Sequence, residues 1–205
     1  MTIRHHRGDL PNLDHYNVDA VAIDTETLGL NLYRDRLCVV QLSPGDGTAD
    51  VVQIAPGQKR APNIQALLRN RKITKLFHFG RFDIASLHAA FGTLASPVWC
   101  TKIASRMTRT YTDRHGLKDL CSELLDVTIS KQQQSSDWAA ETLTQAQLDY
   151  AASDVLYLHQ LKTVLEQRLV REKRLAEAQA LFACLPTRAK LDLMGFEAED
   201  LFAHV

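Results

Sequence analysis

The sequence predicts an α/β domain in which helices flank a mixed, five-stranded β-sheet. Two observations predict this class. First, short apolar runs bounded by turn residues, which are typical of strands, occur in the first half of the chain. Second, segments with apolar residues at helical spacing alternate with these runs and make up most of the second half. Such an order is typical of a sheet covered by helices. A length of 205 residues fits one domain, or one domain with a tail.

Five apolar segments are predicted to be strands. They are residues 19–24, 37–42, 49–54, 73–79 and 97–100. The second and third are separated by Pro44-Gly45-Asp46-Gly47, and such a turn predicts an antiparallel hairpin.

Helices are predicted over residues 63–70 and 81–91, from about Thr101, and from Gly116. A long helix is predicted from Thr144 to about Cys184, with or without a break, until Pro186 stops it. Thr144 as N-cap and Gln147 three residues later form a capping-box pattern. The polar stretches 108–115 and 128–137 are predicted loops.

The last twenty residues are too apolar for a solvated end. They contain Leu191, Leu193, Met194, Phe196, Leu201 and Phe202. We therefore expect residues 1–185 to form the main domain and residues 186–205 a tail. The tail either packs back on this domain or lies at a subunit interface, and the sequence leaves both open.

The charge balance is neutral, with 24 basic and 24 acidic residues. Proteins that grip long nucleic acids usually do so through many cationic contacts, so this balance argues against that class but permits a small charged pocket. The four cysteines form no CxxC pair, which argues against structural zinc and favours buried free thiols (Cys38, Cys100, Cys121 and Cys184). With no signal-peptide pattern and no membrane-spanning run, we expect a cytoplasmic protein.

The strongest local pattern is Asp24-Thr25-Glu26 at the end of an apolar strand. Side chains two residues apart on a strand project to one face, so the two carboxylates would lie together. Like charges are unfavourable neighbours unless a cation lies between them, and oxygen ligands suit Mg²⁺ or Mn²⁺. Alternatively, Asp24 is a local cap where the strand enters a turn.

Two more acidic residues fall at chemically suggestive places. Asp83 lies in the first turn of a helix that follows a strand, where an acidic residue is also favoured for purely structural reasons. Tyr150 and Asp154 are four residues apart on the long helix and share one mostly apolar face. An unpaired carboxylate on such a face is costly to bury.

Taken in order, these pieces resemble the DEDDy branch of the DEDD exonuclease superfamily. The pattern is DxE, then Asp at a strand-to-helix junction, then YxxxD on a late helix, over residues 19–165. Ser136-Asp137-Trp138 and the segment Gln147–Leu158 resemble ribonuclease D in particular. The resemblance implies a ribonuclease H-like fold and a metal-dependent 3′→5′ exonuclease.

Ribonuclease D carries helical nucleic-acid-binding domains after its nuclease domain, and too few residues follow here to build one. The short length resembles the nano-RNase C family of α-proteobacteria, as do residues 35–42, 108–118 and 131–139. This resemblance covers essentially the whole chain. It implies activity on very short RNA, dinucleotides above all, and a ring-shaped homo-octamer.

Roles for five residues follow from the superfamily resemblance. Asp24 is the expected bridging ligand of two divalent cations, Mg²⁺ or Mn²⁺, and Glu26 and Asp154 complete the first metal site. Asp83 holds the second metal, largely through water. Tyr150 orients the attacking water through its hydroxyl; the alternative is a core tyrosine. A free phenol has a pKa near 10, so orientation is expected rather than proton abstraction.

Substrate contacts are expected from three places. The backbone at Thr25, Thr27, Leu28 and Gly29 follows the metal strand, and in the superfamily this stretch contacts the 3′-terminal nucleotide. Leu28 or Leu30 would wedge between bases, unless this is only a hydrophobic turn. His78 and Trp138 are candidates for stacking on a base, with packing on the sheet as the alternative for Trp138.

The segment 101–118 is the clearest cationic cluster, with Lys102, Arg106, Arg109, Arg114 and Lys118 against Asp113. Arg114 and His115 are candidates for a cap on the 5′-phosphate of a dinucleotide, because guanidinium groups match phosphate geometry. The alternative is a solvated helix and loop.

Three functions are compatible with these residues. The first is an exoribonuclease that prefers dinucleotides and yields nucleoside 5′-monophosphates. The second is a general 3′→5′ exonuclease on longer RNA or single-stranded DNA. The third is a non-catalytic nucleic-acid-binding module, which the presence of all four carboxylates and the tyrosine disfavours.

Overall fold

A computed structural model describes residues 2–130 and 132–204. A single sheet of six strands forms its centre, in the order β1-β4-β3-β2-β5-β6. The strands are β1 Thr2–Arg7, β2 Ala20–Thr27, β3 Leu37–Ser43, β4 Thr48–Gln53, β5 Thr74–Phe77 and β6 Val98–Cys100. β3 runs antiparallel to β2 and β4, while β5 and β6 run parallel to β2 and to each other. The predicted mixed sheet and the β3–β4 hairpin are confirmed.

The prediction of five strands was wrong by one, because the sequence analysis missed β1. This edge strand pairs in parallel with β4 from Thr2 to Arg7. Its side chains are largely polar and partly exposed, so it lacks the apolar pattern by which the other strands were found. An ion pair attaches β1 to β4 instead: the Arg4 guanidinium donates two hydrogen bonds to the buried carboxylate of Asp50, at 2.7 and 2.8 Å.

Seven α-helices surround the sheet in the described residues. They are α1 Pro62–Arg69, α2 Arg81–Phe91, α3 Thr101–Thr108, α4 Leu117–Leu125, α5 Gln145–Leu156, α6 Leu158–Arg171 and α7 Leu175–Leu191. The capping box at the start of α5 is confirmed, with the Thr144 hydroxyl and the Gln147 side chain each bonding the other residue's backbone. None of the helices in these residues has both the length and the apolarity needed to cross a membrane.

The prediction of one long helix ending at Pro186 was wrong in two respects. The segment forms three helices, with breaks at Tyr157 and at Lys173, whose φ of 55° lies in the left-handed region. The breaks let α5 lie on β2, β3 and β4 while α6 and α7 pack with α3. In addition, α7 continues through Pro186 to Leu191. Burial of Leu185 and Ala189 on either side of the proline offsets the lost backbone hydrogen bond.

Three of the four cysteines, Cys38, Cys100 and Cys121, are buried free thiols as predicted. For Cys184 the prediction was wrong, because its side chain is exposed. The buried residues Ala178, Phe182, Leu185 and Ala189 define the inner face of α7, and Cys184 lies off that face.

The start of the tail is bound to the domain by charge. The Arg81 guanidinium donates two hydrogen bonds to Asp192, at 2.5 and 2.8 Å, and Arg188 forms an ion pair with the same carboxylate at 3.1 Å. The Tyr33 hydroxyl donates to the Asp192 carbonyl. Farther along, Met194 and Phe202 are 67% and 96% exposed, so this part of the tail leaves apolar surface uncovered. The division at residue 186 stays a prediction.

Asp192→Asn should destabilise the fold by roughly 3 kcal/mol, because it leaves Arg81 and Arg188 facing each other without the charge between them. Urea unfolding measures this loss. The control is Glu172→Gln, which breaks an exposed ion pair with Arg171 and should change the unfolding free energy by less than about 1 kcal/mol. Equal effects of the two substitutions would contradict the assignment.

Candidate active site

Three carboxylates meet where β2 ends beneath α5. Asp24 and Glu26 project from one face of β2, and Asp154 comes from α5, which packs on that face. Each offers an oxygen, and these oxygens lie within 4.8 Å of one another. We call Asp24, Glu26 and Asp154 the carboxylate cluster. The alternating strand and the late helix therefore bring together the residues that the sequence analysis singled out.

Asp83 joins the site from the first turn of α2 and is buried. The Thr25 hydroxyl, between the two β2 carboxylates, donates a 2.6 Å hydrogen bond to Asp83 Oδ1. The turn that delivers α2 depends on Gly80, since a Cβ there would lie 2.6 Å from Cβ of Phe77. Phe79, one residue earlier, adopts a φ of 66°, which a bulky residue rarely does.

The carboxylates of the site repel one another, and each carboxyl group whose pKa is shifted is also partly or fully buried. Burial, and then the charges of Asp83, Asp154 and Glu26, raise the pKa of Asp24 well above its usual range. Burial and the charges of Asp154 and Asp83 raise the pKa of Glu26 to about 9. Burial also raises the pKa of Asp83 to about 7, against the hydrogen bond from Thr25. Without a cation, these carboxyl groups would hold protons near neutral pH.

The donor set fits hard divalent cations. Four carboxylates supply only oxygen ligands, which Mg²⁺ and Mn²⁺ prefer, and the repulsion that raises their pKa values is relieved by bound positive charge. Asp83 is not part of the carboxylate cluster, whose oxygens lie within 4.8 Å of one another, so it could bind a second ion or reach one through water.

Tyr150 lies one helical turn before Asp154 and hydrogen-bonds to it. Burial, followed by the charges of Asp154, Glu26 and Asp24, raises the pKa of the phenol above its ordinary value. The hydroxyl therefore stays protonated and can hold a neighbouring polar molecule by hydrogen bonding. Its other side packs on Trp138, with ring centroids 5.9 Å apart.

A cleft of about 320 Å³ opens over the carboxylates. Thr25, His78 and Tyr150 line it, as does Lys102, while His78 Nδ1 is 2.8 Å from the Thr101 hydroxyl. Several lining residues were not named as contacts by the sequence analysis: Phe79, Gly116, Leu117, Lys118, Ile129, Ser130 and Gln134. Lys118 could have been found from its place in the cationic segment, whereas nothing in the sequence marks Gln134.

Other candidate contacts lie around the cleft and not in its lining. Thr27 turns inward to its own loop, where its hydroxyl donates a 2.5 Å hydrogen bond to the Gly29 carbonyl. Leu28 and Leu30 are 53% and 84% exposed. Leu30 lines a second cavity of about 530 Å³, and Phe79 lines both cavities. The wedge role of either leucine stays a prediction.

The basic side chains of the cationic segment 101–118 differ in burial, since some lie in the core and others are exposed to solvent. Arg109 is fully buried and forms an ion pair with Glu123, so it belongs to the core. Arg114 is exposed and pairs with Asp119 at 2.7 Å, and His115 Nδ1 lies 2.9 Å from the Ser105 hydroxyl. Trp138 is only 3% exposed and packs on Tyr150. Substrate contacts by Arg114, His115 and Trp138 stay predictions, and Lys131 lies outside the described residues.

Mg²⁺ should bind more tightly as the pH rises, because protons and metal compete for the same carboxylates. With the pKa of Asp83 raised to about 7 and that of Glu26 to about 9, protons must leave on binding at pH 6. The half-saturating Mg²⁺ concentration should fall about tenfold or more between pH 6 and pH 8. Calorimetric titration of the metal-free protein measures it, and a constant value would contradict these pKa shifts.

The fold and the site define a class of protein. Residues 12–170 match the family of 3′–5′ exonucleases. Because this match covers most of the chain, the protein belongs to that family, whose members are metal-dependent nucleases. The enzyme class expected from the resemblance is therefore confirmed.

More particular relatives lie close in sequence. Structures of Brucella melitensis NrnC with bound Mg²⁺ and bound to pGG are 72% and 73% identical over all of both chains, with TM-scores of 0.97 and 0.98. Ribonuclease D of Granulibacter bethesdensis is 38% identical over 156 residues, which are 76% of this chain and 39% of that protein. The chain thus spans about two-fifths of the length of this curated relative. The predicted resemblances, including the ribonuclease H-like fold, are confirmed.

Proposed function

We propose that the protein is a two-metal 3′→5′ exoribonuclease that hydrolyses very short RNA, preferentially dinucleotides, to nucleoside 5′-monophosphates. One observation carries the proposal. Asp24, Glu26 and Asp154 converge within ligand distance of one another beside Asp83 and Tyr150, at the floor of a small cleft. The NrnC structure with pGG supports a short substrate, because that relative is similar over its whole length.

The carboxylates divide the work of holding cations. Asp24 would bridge two metal positions, Glu26 and Asp154 would complete the first, and Asp83 would serve the second, largely through water. Bound Mg²⁺ or Mn²⁺ supplies charge for the attacking and leaving oxygens and a nucleophile near neutral pH. The Thr25 hydroxyl holds the Asp83 carboxylate in place through its 2.6 Å hydrogen bond.

Tyr150 positions the attacking water. Its phenol stays protonated because burial and three carboxylates raise its pKa, so it acts by orientation and not as a base. Its hydrogen bond to Asp154 and its packing on Trp138 fix the ring from two sides. Orientation of reacting groups can lower a barrier substantially without any change in charge.

The preference for short RNA has two supports. The cleft is small, at about 320 Å³, and the neutral chain lacks the excess of basic residues that long nucleic acids usually require. Lys102 and Lys118 lie at the cleft wall, and Arg114 lies near them in sequence. We place the 5′-phosphate cap in this segment, which would obstruct a longer chain.

Arg114→Ala should slow hydrolysis of dinucleotides more than that of longer RNA, by about tenfold in relative rate, if its guanidinium contacts the 5′-phosphate. Rates on labelled two- and seven-nucleotide RNAs measure this. Lys72→Ala, an exposed lysine between α1 and β5, is the control and should change neither rate. Equal losses at both lengths would remove Arg114 from the cap.

Two alternatives differ in what they predict. A general 3′→5′ exonuclease would cleave longer RNA or single-stranded DNA as readily as dinucleotides, whereas a binding module would cleave nothing. We further propose a homo-octameric ring, as the resemblance implies, and a cytoplasmic location. The exposed apolar side chains of the tail, Met194, Leu201 and Phe202, support subunit contacts. Hydrolysis of an RNA length series separates the three functions.

A further inference from the structure

Gln41 lies next to the carboxylate cluster in the middle of the sheet. It is on β3, where it pairs in register with Asp24 of β2 on one side and with Val51 of β4 on the other. Directly paired residues of antiparallel strands project to the same face, with their Cβ atoms about 5 Å apart. The Gln41 side chain therefore lies on the face that α5 covers, beside Asp24, and it is fully buried.

The Gln41 side chain is a polar group in apolar surroundings. Neither its Oε1 nor its Nε2 has a hydrogen-bond partner among residues 2–130 and 132–204. Buried amides are nearly always bonded, because an unpartnered one loses the hydrogen bonds that it makes to water in the unfolded chain. On the same face, Val39 and Val51 are apolar and belong to a cluster with Trp138 and Ala151. A leucine or methionine would satisfy such surroundings better than glutamine.

Two other carboxylates of the site, Asp83 and Asp154, each have a hydrogen-bond partner from a side chain. The Thr25 hydroxyl donates to Asp83, and the Tyr150 hydroxyl bonds to Asp154. Asp24 receives its hydrogen bond from the backbone at Thr25. Carboxylates that bind metals are generally held by hydrogen bonds from neighbouring groups, which fix the orientation of the ligand oxygens. Gln41 brings a free amide donor to the strand position directly opposite Asp24.

We propose that Gln41 is a positioning residue for Asp24, whose carboxamide N–H donates a hydrogen bond to the Asp24 carboxylate when that carboxylate binds cations. A bridging carboxylate uses one lone pair of each oxygen for a metal, and another remains to accept from the amide. The bond would fix the orientation of the Asp24 carboxylate for metal binding. The inference rests on the proposed function only in that Asp24 is a metal ligand.

Gln41→Met tests this proposal, because methionine has similar length and no strong hydrogen-bonding atom. Stability and metal binding should change in opposite directions. The melting temperature of the metal-free protein should rise, since two unpartnered buried polar atoms are removed. Mg²⁺ affinity, measured by calorimetry without substrate, should fall roughly 10- to 100-fold. Turnover at limiting Mg²⁺ should fall with it and recover in part at high Mg²⁺, with KM for RNA unchanged.

Ser86→Ala is the matched control. Ser86 is also buried with an unpartnered hydroxyl in the described chain, but it lines a separate cavity with Leu37 and Ala90 and is absent from the lining of the cleft over the carboxylates. Its removal should leave Mg²⁺ affinity unchanged. Gln41→Leu serves as a second variant of different shape, and both Gln41 variants should give the same pair of effects.

Unchanged Mg²⁺ affinity in both Gln41 variants would overturn the proposal, whatever happens to the melting temperature. A fall in affinity that Ser86→Ala reproduces would overturn it too, because the effect would then be general to buried polar groups. Since calorimetry needs no RNA, weaker Mg²⁺ binding by the Gln41 variants would support the proposal even if the unmodified protein cleaved no RNA. The absence of RNA cleavage by the unmodified protein would refute the proposed function and leave the Gln41 proposal standing.

Discussion

Asp24→Asn should reduce RNA hydrolysis by at least about a thousandfold, equivalent to about 4 kcal/mol of transition-state stabilisation. Asn keeps the shape of Asp24 but removes the charge that would hold two cations together. The same substitution should raise the melting temperature of the metal-free protein. Burial and three neighbouring carboxylates raise the pKa of Asp24, so its charge opposes folding in the absence of metal. Single-turnover hydrolysis and melting curves, with and without Mg²⁺, measure both effects.

The matched control for this prediction is Asp50→Asn. Asp50 is a buried aspartate on the same sheet, but Arg4, Tyr16 and His6 all contact its carboxylate. Burial raises its pKa, yet these hydrogen bonds outweigh burial and lower the pKa overall. A lowered pKa means that the charge of Asp50 stabilises the fold above its unfolded pKa, and that this stabilisation is lost as pH falls. Asp50→Asn should therefore destabilise the protein and leave turnover intact.

Opposite signs of the two stability changes are the decisive feature. If Asp24→Asn destabilised the metal-free protein as Asp50→Asn does, Asp24 would be a structural residue. If it kept substantial turnover, it could not be the bridging ligand. Either result alone would contradict the role of Asp24 as a metal ligand, which its position in the carboxylate cluster supports.

Tyr150→Phe should lower turnover by about a hundredfold or more while leaving Mg²⁺ affinity and KM nearly unchanged. The substitution removes one hydroxyl and keeps the ring that packs on Trp138. Because the phenol stays protonated at ordinary pH, its loss removes orientation of water and not a base. The pH dependence of the remaining activity should thus keep the shape of the wild-type profile.

Steady-state kinetics and calorimetric Mg²⁺ titration test this prediction together. Tyr157→Phe is the control, since Tyr157 lies at the break between α5 and α6 and is absent from the cleft lining. It should leave turnover unaltered. Unchanged turnover in Tyr150→Phe would show that Tyr150 is a core tyrosine, whereas a large loss of Mg²⁺ affinity would show that it acts on Asp154 instead.

The sequence predicted the site better than the periphery for a physical reason. Period-two alternation put Asp24 and Glu26 on one face, and helical spacing put Tyr150 and Asp154 on one face. Such local geometry survives any tertiary arrangement. The convergence of Asp83 with these residues depends on the order of the strands, which the sequence analysis did not predict, and the role of Asp83 came from the family resemblance.

The sequence did not predict which polar side chains are buried, or where the backbone takes an unusual conformation. Arg109 and Arg114 look equivalent in a cationic loop, yet one is fully buried against Glu123 and the other is exposed. The polar strand β1 has no apolar pattern, because an edge strand held by the Arg4–Asp50 pair does not require one. The left-handed Phe79 likewise gives no sign in the sequence, since a residue of that type rarely adopts such a φ.

The proposed carboxylate site would hydrolyse dinucleotides in preference to longer RNA. The most direct test is Mg²⁺-dependent cleavage of 5′-labelled RNAs of about two to ten nucleotides, with Asp24→Asn as the inactive control. We expect fast cleavage of the dinucleotide, slow cleavage of every longer RNA, and release of nucleoside 5′-monophosphates. Similar rates at all lengths would contradict the preference and indicate a general exonuclease, and no cleavage at any length would contradict the assignment as an enzyme.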